Sequence, residues 1–375
     1  MSEFDAIRPY NDHEVPKVLA RLVASRDLAQ AASQLVMPSW LGGRWAGRML
    51  ARSVLRLKTR NLKSVRDCQN VIAGLFETVI RRSIDRLSVS GLDRLSPNKH
   101  YLFISNHRDI LMDSSLLNYL LHDAGHDTCR MAVGDNLLAN PLAADLMRLN
   151  KSFVVERSVA GARAKYKALH RTSRYMQQSL QQGISVWIAQ RQGRAKDGFD
   201  RTDPALLKML QLAYRDKSVK EDPLARMLSL APVVPVSVSY ELDPCGPSKA
   251  QELAHIHKHG SYQKSAQEDL QSMVQGLMGN KGRVRLSFGE PIAQASSIED
   301  LAAQLDQSIV ASTRLYPTHR YAKALLEEAD SEELQNNASV RALAKQLQAL
   351  DADQRPYLLQ QYANIWRNRQ ELGIL

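Results

Sequence analysis

Cysteine is scarce in this sequence. The three cysteines, Cys68, Cys129 and Cys245, are scattered along the chain and form no CxxC pair. An odd and scattered set supports neither a disulfide framework nor a zinc site. The simplest interpretation is a protein of a reducing compartment, and we expect the cytoplasm.

Long hydrophobic runs are also missing. No stretch reaches the ~20 uncharged apolar residues that are needed to cross a bilayer. The segment from Met1 to Asp5 carries acidic residues and no apolar core, so we do not expect a signal peptide. If the protein acts at a membrane, we expect it to act from the surface. A Gly-x-Ser-x-Gly motif is absent as well, which disfavours a hydrolase of the nucleophile-elbow type.

Positive charge, by contrast, is abundant. The 375 residues include 50 Lys and Arg against 39 Asp and Glu, which gives a formal net charge of +11. An excess of this size favours an anionic partner, such as nucleic acid, anionic lipid or a phosphorylated substrate. The hydrophobic content of 44% is normal for a globular protein, so disorder is not expected to dominate.

The charge is densest between Leu41 and Arg66, where eight Lys or Arg residues occur without an acid. The arginines recur every four residues and have a tryptophan beside them: Arg44, Trp45, Arg48, Arg52, Arg56 and Arg60. On a helix this spacing gives a slowly drifting stripe. Such a stripe is typical of a helix in an anionic headgroup layer. The alternative is a solvated face of a packed helix. Nucleic-acid binding is not expected, because no signature of a known nucleic-acid-binding motif is present.

Three regions follow one another in the predicted organisation. Residues 1–95 are expected to be helical and basic, and residues 296–375 to be helical with acidic patches. Residues 96–295 alternate short β-rich runs with helical stretches, which predicts an α/β domain. The expected strands are Tyr101–Ile104, Thr128–Val133, Ser152–Val155, Ser185–Ala189, Val233–Tyr240 and Arg283–Phe288. The expected helices between them are Ser114–Asp123, Pro141–Leu149, Arg163–Gln182, Pro204–Tyr214 and Ser265–Met278.

The most informative motif is SNHRDILMD, from Ser105 to Asp113. It follows an expected strand and precedes an expected helix, so His107 is presented where a strand ends. Asp113 lies about one helical turn further on, and Asp109 is a second carboxylate within reach of the imidazole. A carboxylate fixes the tautomer of a histidine and stabilises the imidazolium as it forms. The motif therefore suits proton abstraction from an alcohol.

Asn106, His107 and Asp113 resemble the first block of the glycerolipid acyltransferases, which move fatty acyl groups from coenzyme A or acyl carrier protein to glycerol 3-phosphate or lysophosphatidate. Three more stretches resemble family blocks in the expected order: KSFVVER at 151–157, VWIAQRQGRAKDG at 186–198 and APVVPVSVSY at 231–240. Residues 282–292 resemble the strand that closes the family's sheet. The resemblance covers residues 85–295 and implies an α/β fold with a mixed sheet flanked by helices, here with helical N-terminal and C-terminal extensions.

The resemblance implies a role for each residue. His107 removes a proton from the acceptor hydroxyl, Asp113 holds His107, and backbone N–H groups after His107 bind the oxyanion. The residues expected to bind the acceptor phosphate are Arg157, Arg194 and Lys196. The residues expected to support the site are Asn106, Arg108, Asp109, Gln192 and Gly193. No cofactor or metal is implied, since acyl-CoA or acyl carrier protein is a co-substrate. The expected location is cytoplasmic, on the inner face of the membrane.

Two departures from the family pattern leave alternatives open. Five residues separate His107 from Asp113 where the family has four, and one extra residue rotates a helical side chain by about 100°. Asp113 and Asp109 therefore both remain candidates to orient His107. Gln192 replaces the family's glutamate, which keeps hydrogen-bonding capacity but loses the charge. A second hypothesis is thus an inactive acyltransferase scaffold that binds a membrane or a partner.

Overall fold

The computed structural model describes residues 3–36, 44–216, 218–265 and 267–374. Residues 41–43, the start of the basic segment, lie outside these ranges. The α-helices of the described ranges, α1 to α15, are Val15–Ala24, Arg26–Val36, Trp45–Thr59, Val65–Ser83, Met112–Asp123, Pro141–Leu149, Ala162–Gln181, Pro204–Leu210, Pro223–Leu230, Gly246–His259, Glu268–Met278, Ile298–Ser312, Pro317–Leu326, Ala338–Gln348 and Arg355–Glu371. The strands, β1 to β7, are Arg86–Ser90, Leu102–Ser105, Arg130–Gly134, Ser152–Val155, Val186–Ala189, Val233–Tyr240 and Arg283–Phe288.

The chain forms two compact units, and each is built from two separate stretches. The first unit comprises Met1–Val79 and Arg130–Tyr175, and the second comprises Ile80–Cys129 and Met176–Leu375. The three predicted regions follow the order of the chain, whereas these units do not. The difference arises because the segment that carries β3, α6 and β4 packs with the N-terminal helices.

In the first unit, α1 buries its apolar face against α6 and the start of α4. The core residues are Val15, Val18, Leu22, Val65, Cys68 and Leu149. The first three are spaced three and four residues apart, so they lie on one face of the helix. On α6, Asp145 accepts hydrogen bonds from Tyr10 Oη at 2.7 Å and from Arg21 Nη2 at 2.6 Å. Strands β3 and β4 pair in parallel in the same unit.

The second unit contains five neighbouring strands in the order β1-β7-β6-β2-β5. Strand β2 is parallel to both β5 and β6, β7 is antiparallel to β6, and β1 is parallel to β7. This arrangement is the mixed sheet that the resemblance implied. Strands β2 and β6 are buried along their whole length. Burial on both faces explains the apolar start of each strand. The serines later in β6 are buried because they have partners, Ser237 with Thr313 and Ser239 with the Arg314 N–H.

Most of the strands lie where they were predicted. Strands β4, β6 and β7 match their predicted bounds, and β2, β3 and β5 end within two residues of theirs. Strand β1 was missed, because its sequence RLSVS is short and half polar and follows a helical region. Helices α9 and α10 were also missed, although Asp222 caps α9 by accepting the N–H of Leu224 at 3.0 Å. The C-terminal region is helical, as predicted.

No helix in the described part of the chain is long and apolar enough to cross a membrane. All three cysteines are buried thiols.

Candidate active site

His107 and Asp113 meet at the carboxyl end of β2. The imidazole Nδ1 lies 2.9 Å from Asp113 Oδ2. Asp113 is the second residue of α5, and the residues from 108 to 111 form an irregular turn before that helix. The extra residue of the motif lies in this turn. The long spacing therefore does not separate the pair.

Asp113 is fully buried and its two oxygens accept four hydrogen bonds. Oδ2 accepts the bond from His107 and the backbone N–H groups of Arg108 at 2.7 Å and Asp109 at 2.9 Å, and Oδ1 accepts Tyr240 Oη at 2.8 Å. Burial alone raises the pKa of Asp113, but the bonds from His107, the Asp109 amide and Tyr240 outweigh it, so the pKa lies below its usual value. An ionised Asp113 holds the proton of the neutral imidazole on Nδ1.

The other imidazole nitrogen, Nε2, therefore carries a lone pair in the neutral ring. Nothing in the described ranges hydrogen-bonds to it. The ring of Trp187 lies edge-on to the imidazole, with centroids 6.1 Å apart, and 15% of the His107 side chain is exposed. The histidine is thus held at Nδ1, and its Nε2 has no hydrogen-bond partner among the described residues.

Tyr240 was not predicted as a site residue. It is the last residue of β6, which is parallel to β2, so the carboxyl ends of both strands lie at the same edge of the sheet. That topology places its hydroxyl on Asp113. The sequence held a usable signal, since Tyr240 ends a strand that the family resemblance had already identified.

Asp109 does not contact the imidazole. Its Oδ1 accepts the N–H groups of Leu111 and Met112, both at 2.9 Å, at the start of α5. Its Oδ2 is buried without a hydrogen bond, and Gly276 of α11 lies directly against it. Burial, reinforced by the charge of Asp113, raises the pKa of Asp109. Of the two candidates from the sequence, the structure places Asp113 on His107.

The backbone amides after His107 are largely committed to these carboxylates. Those of Arg108 and Asp109 donate to Asp113, and those of Leu111 and Met112 donate to Asp109. The expectation that amides at the start of this helix bind an oxyanion is therefore wrong for these four groups.

The loop after β5 carries a buried guanidinium with no carboxylate partner. Arg194 is only 9% exposed, its Nη1 is buried without a hydrogen bond, and it forms no ion pair with any described residue. Arg108 is equally buried but donates to Asp200 at 2.6 Å, and Arg191 pairs with Asp197. A buried charge is costly unless an opposite charge compensates it. Arg194 is therefore suited to bind an anion.

The other predicted residues of this loop have different environments. Lys196 pairs with Glu252, and burial lowers its pKa in spite of that partner. Lys196 is therefore not the free cation that the sequence predicted. Gly193 adopts φ +77°, a left-handed conformation that favours glycine. Gln192 is exposed and forms no hydrogen bond within the described ranges, so it does not anchor the loop.

Asn106 and Arg108 support the end of β2. The Asn106 amide donates to Asp200 Oδ2 at 3.1 Å and to Val238 O at 3.2 Å, and it accepts the Val238 N–H at 2.8 Å. Because Arg108 donates to the same carboxylate oxygen, both neighbours of His107 are fixed. They hold the backbone on either side of the imidazole.

Arg157 lies in the first unit, just after β4. Its backbone N–H donates to Asp135 Oδ2 at 3.0 Å, and burial lowers the pKa of its guanidinium. The guanidinium forms no ion pair with the residues that the structure describes. The charge of the nearby Asp135 carboxylate only partly offsets this effect of burial.

A nucleophilic cysteine is not part of the site. Cys245 precedes α10 in the second unit and is fully buried. Burial raises the pKa of its thiol to about 12, which keeps it protonated at neutral pH. Within the described ranges, no three His, Cys, Asp or Glu side chains are grouped as metal ligands.

Helix α3 in the first unit carries the predicted basic stripe. Arg44, Arg48 and Arg56 are exposed, together with large apolar side chains such as Trp45 at 72% and Leu57 at 60%. Arg52 differs from them. It donates to the carbonyls of the last two residues of α1, Val23 at 3.0 Å and Ala24 at 2.7 Å. Arg52 is therefore a structural residue that caps α1, and its assignment to a membrane-facing stripe was wrong.

A family model described as Acyltransferase matches residues 86–239. Among solved structures, the crystal structure of the 1-acyl-sn-glycerophosphate (LPA) acyltransferase PlsC from Thermotoga maritima is similar, with 18% identity, a TM-score of 0.39, and coverage of 76% of this chain and 95% of that chain. A comparison with curated proteins returns no match. The residues matched by the family model include the His107–Asp113 pair and the loop of Arg194. Residues 86–239 of this chain therefore correspond to an acyltransferase domain.

Proposed function

We propose that this protein transfers a fatty acyl group from acyl-CoA or acyl carrier protein to a hydroxyl of glycerol 3-phosphate or a lysophosphatidate. The observation that carries the proposal is the His107–Asp113 pair in the same unit as the uncompensated guanidinium of Arg194. The pair supplies a base, and the guanidinium supplies a binding charge for the phosphate of the acceptor. The N–H of Ala195, the neighbour of Arg194, donates to the His107 carbonyl at 2.7 Å. This bond ties the loop of Arg194 to residues 105–113, the proposed catalytic segment.

The reaction needs one proton shuttle and no covalent enzyme intermediate. His107 Nε2 takes the proton of the acceptor hydroxyl while its oxygen attacks the thioester carbon. The C–S bond then breaks, and the leaving thiolate receives the proton from the imidazolium. The products are an ester and a free thiol. Asp113 stabilises the imidazolium between these two steps, because it remains ionised throughout.

Arginine suits the binding of the acceptor because its planar fork forms paired hydrogen bonds with a phosphate. An anchored phosphate converts an encounter of two molecules into an oriented reaction. Arg194 is the first candidate for this contact, because its charge is buried and unpaired.

A peripheral position at an anionic membrane is part of the proposal. Its support is α3, where exposed arginines alternate with exposed Trp45, Met49 and Leu57. A helix that combines an exposed apolar surface with basic residues binds in the headgroup layer. Such a position gives access to acceptors and products that carry acyl chains. It is also consistent with a location on the inner face of the membrane.

The test is thioester turnover by the purified protein. Free thiol is measured with an acyl-CoA or an acylated carrier protein, with and without glycerol 3-phosphate or lysophosphatidate. We expect release that requires the acceptor and is lost in His107→Ala. His126→Ala serves as the matched control, because His126 follows α5 and does not contact the motif. Absence of turnover in the wild type, or unchanged turnover in His107→Ala, would favour the inactive scaffold.

A further inference from the structure

Helix α15 lies outside the matched acyltransferase domain, yet it presents buried amide side chains to that domain. Gln361, Asn364 and Asn368 are 7%, 4% and 3% exposed. Their spacing of three and four residues places them on one face of the helix. Buried side-chain amides nearly always form hydrogen bonds. The hydrogen-bond partners of these amides therefore show which part of the molecule α15 holds in place.

Two of these amides hold the loop of Arg194. Asn364 Nδ2 donates to the backbone carbonyl of Asp197 at 2.8 Å, and Asn368 Nδ2 donates to that of Asp200 at 3.2 Å. Between them, Gly198 adopts φ +84°, and a Cβ there would lie 2.3 Å from the Gln361 carbonyl oxygen. The loop backbone therefore packs directly on the backbone of α15.

The same loop is fastened on its other side to the catalytic segment. The Ala195 N–H bonds to the His107 carbonyl, and Arg108 donates to the Gly198 carbonyl at 3.3 Å. The loop is thus held between α15 and the residues around His107, and Arg194 directly precedes these contacts in the chain. Gln192, where the family has a charged anchor, forms no hydrogen bond with the described residues.

Helix α15 is itself firmly held. Tyr362 Oη accepts the N–H of Asp243 at 2.8 Å, and Gln361 donates to the Gly246 carbonyl at 3.1 Å. Its apolar face packs with α13 and α14 around a core that includes Leu343 and Leu358, both fully buried. The helix therefore provides a rigid support for whatever it contacts.

We infer that α15 is a positioning element of the acceptor site, in which Asn364 and Asn368 fix residues 197–200 and so set the position of Arg194. This inference rests on the proposed role of Arg194 in binding the phosphate of the acceptor. Neither asparagine touches substrate. Each acts through the loop backbone, because a loop free to move would hold the guanidinium in many positions and bind the phosphate less tightly.

The experiment compares Asn364→Ala and Asn368→Ala with two controls. Arg367→Ala changes an exposed residue of the same helix, and Leu343→Ala weakens the helical core without touching the loop. Two quantities are measured on the full chain. One is amide hydrogen exchange of residues 193–200, and the other is KM for the phosphorylated acceptor beside KM for the acyl donor and kcat.

We expect Asn364→Ala to raise both loop exchange and KM for the acceptor by about tenfold, with donor KM and kcat nearly unchanged, because a buried carbonyl loses its donor. Arg367→Ala should match the wild type. The inference would be overturned if both asparagine variants had the loop exchange and the acceptor KM of the wild type. It would also be overturned if Leu343→Ala raised the acceptor KM as much as Asn364→Ala does. Faster loop exchange in a protein whose wild type shows no turnover would support the positioning role and refute the proposed function.

Discussion

At the scale of single residues, two aspartates of one short motif have opposite environments. Asp113 accepts four hydrogen bonds and stays ionised, whereas Asp109 leaves one oxygen unpaired in the interior and its pKa is raised. The difference arises from the turn before α5, which directs one carboxylate to the imidazole and the other to the first amides of the helix. Because both residues are aspartates, the sequence alone did not show which of them contacts His107.

This difference predicts opposite results for two identical substitutions. Asp113→Asn removes the charge that supports the imidazolium and the preferred tautomer, so we expect kcat to fall by about 10³- to 10⁴-fold. Asp109→Asn keeps the acceptor oxygen for the Leu111 and Met112 amides and resembles a neutral carboxyl, so we expect wild-type activity. Thiol release under identical conditions measures both. A large loss in Asp109→Asn, or activity retained in Asp113→Asn, contradicts the assignment.

The sequence was sufficient to find the His107–Asp113 pair and insufficient to find the residues that hold it and the loop of Arg194. His107 and the two candidate aspartates were visible because they share one short motif. Tyr240 and Asn364 were not predicted, because each is brought to the site by pairing or packing across more than 100 residues of chain. The partner of Lys196, Glu252, was not foreseen either, because it lies 56 residues further along the chain.

At the scale of elements, α11 approaches the catalytic segment at one glycine. A Cβ on Gly276 would lie 2.1 Å from Asp109 Oδ2, so the helix can pack there only without a side chain. Gly74 of α4 is also helical, but a Cβ there meets nothing within 4 Å. Alanine substitutions at Gly276 and Gly74 therefore separate the effect of packing on stability from the effect of helix propensity.

We expect Gly276→Ala to lower the free energy of unfolding by about 1–3 kcal/mol, because overpacking outweighs the better propensity of alanine. Gly74→Ala should raise it by about 1 kcal/mol, the gain in propensity alone. Urea unfolding followed by circular dichroism measures both changes. Stabilisation by both substitutions would show that α11 shifts without cost and that Gly276 does not set its distance from Asp109.

Element prediction succeeded where an apolar run had clear boundaries. The apolar residues of β2 and β6 identified two strands that are buried, and the sequence patterns of β4 and β7 gave their bounds. Prediction failed at β1, α9 and α10, whose sequences are short or rich in polar residues. Packing across the sheet, rather than local preference, makes RLSVS a strand, because it pairs with β7, almost 200 residues away.

At the scale of the whole molecule, the net charge of +11 is less informative than where the charge lies. Helix α3 combines exposed arginines with exposed apolar side chains. The basic residues at the start of α7, Arg163, Lys165 and Lys167, are exposed as well. The proposal of a peripheral position at the membrane assigns vesicle binding to α3 and not to α7.

We expect the triple substitution Arg48→Gln, Arg56→Gln and Arg60→Gln to weaken binding to anionic vesicles by about 100-fold, since each basic residue near the surface contributes ~1 kcal/mol. Arg52 is kept, because its loss would uncap α1. The triple substitution of Arg163, Lys165 and Lys167 by Gln removes the same charge and should have a much smaller effect. A vesicle sedimentation assay measures the binding of both variants. Equal losses of vesicle binding would mean that net charge alone explains the attraction, and would reject a specific role for α3.

The discontinuous first unit also has a consequence for biosynthesis. Helix α1 is made early, but its partner Leu149 and the carboxylate that pairs with Arg21 lie more than 120 residues later. At typical translation rates this interval lasts about 6 to 25 s. During that time the apolar face of Val15, Val18 and Leu22 lacks the part of its cover that α6 provides. A ribosome-associated chaperone that recognises short apolar segments would find its binding site there and would lose it once α6 had emerged.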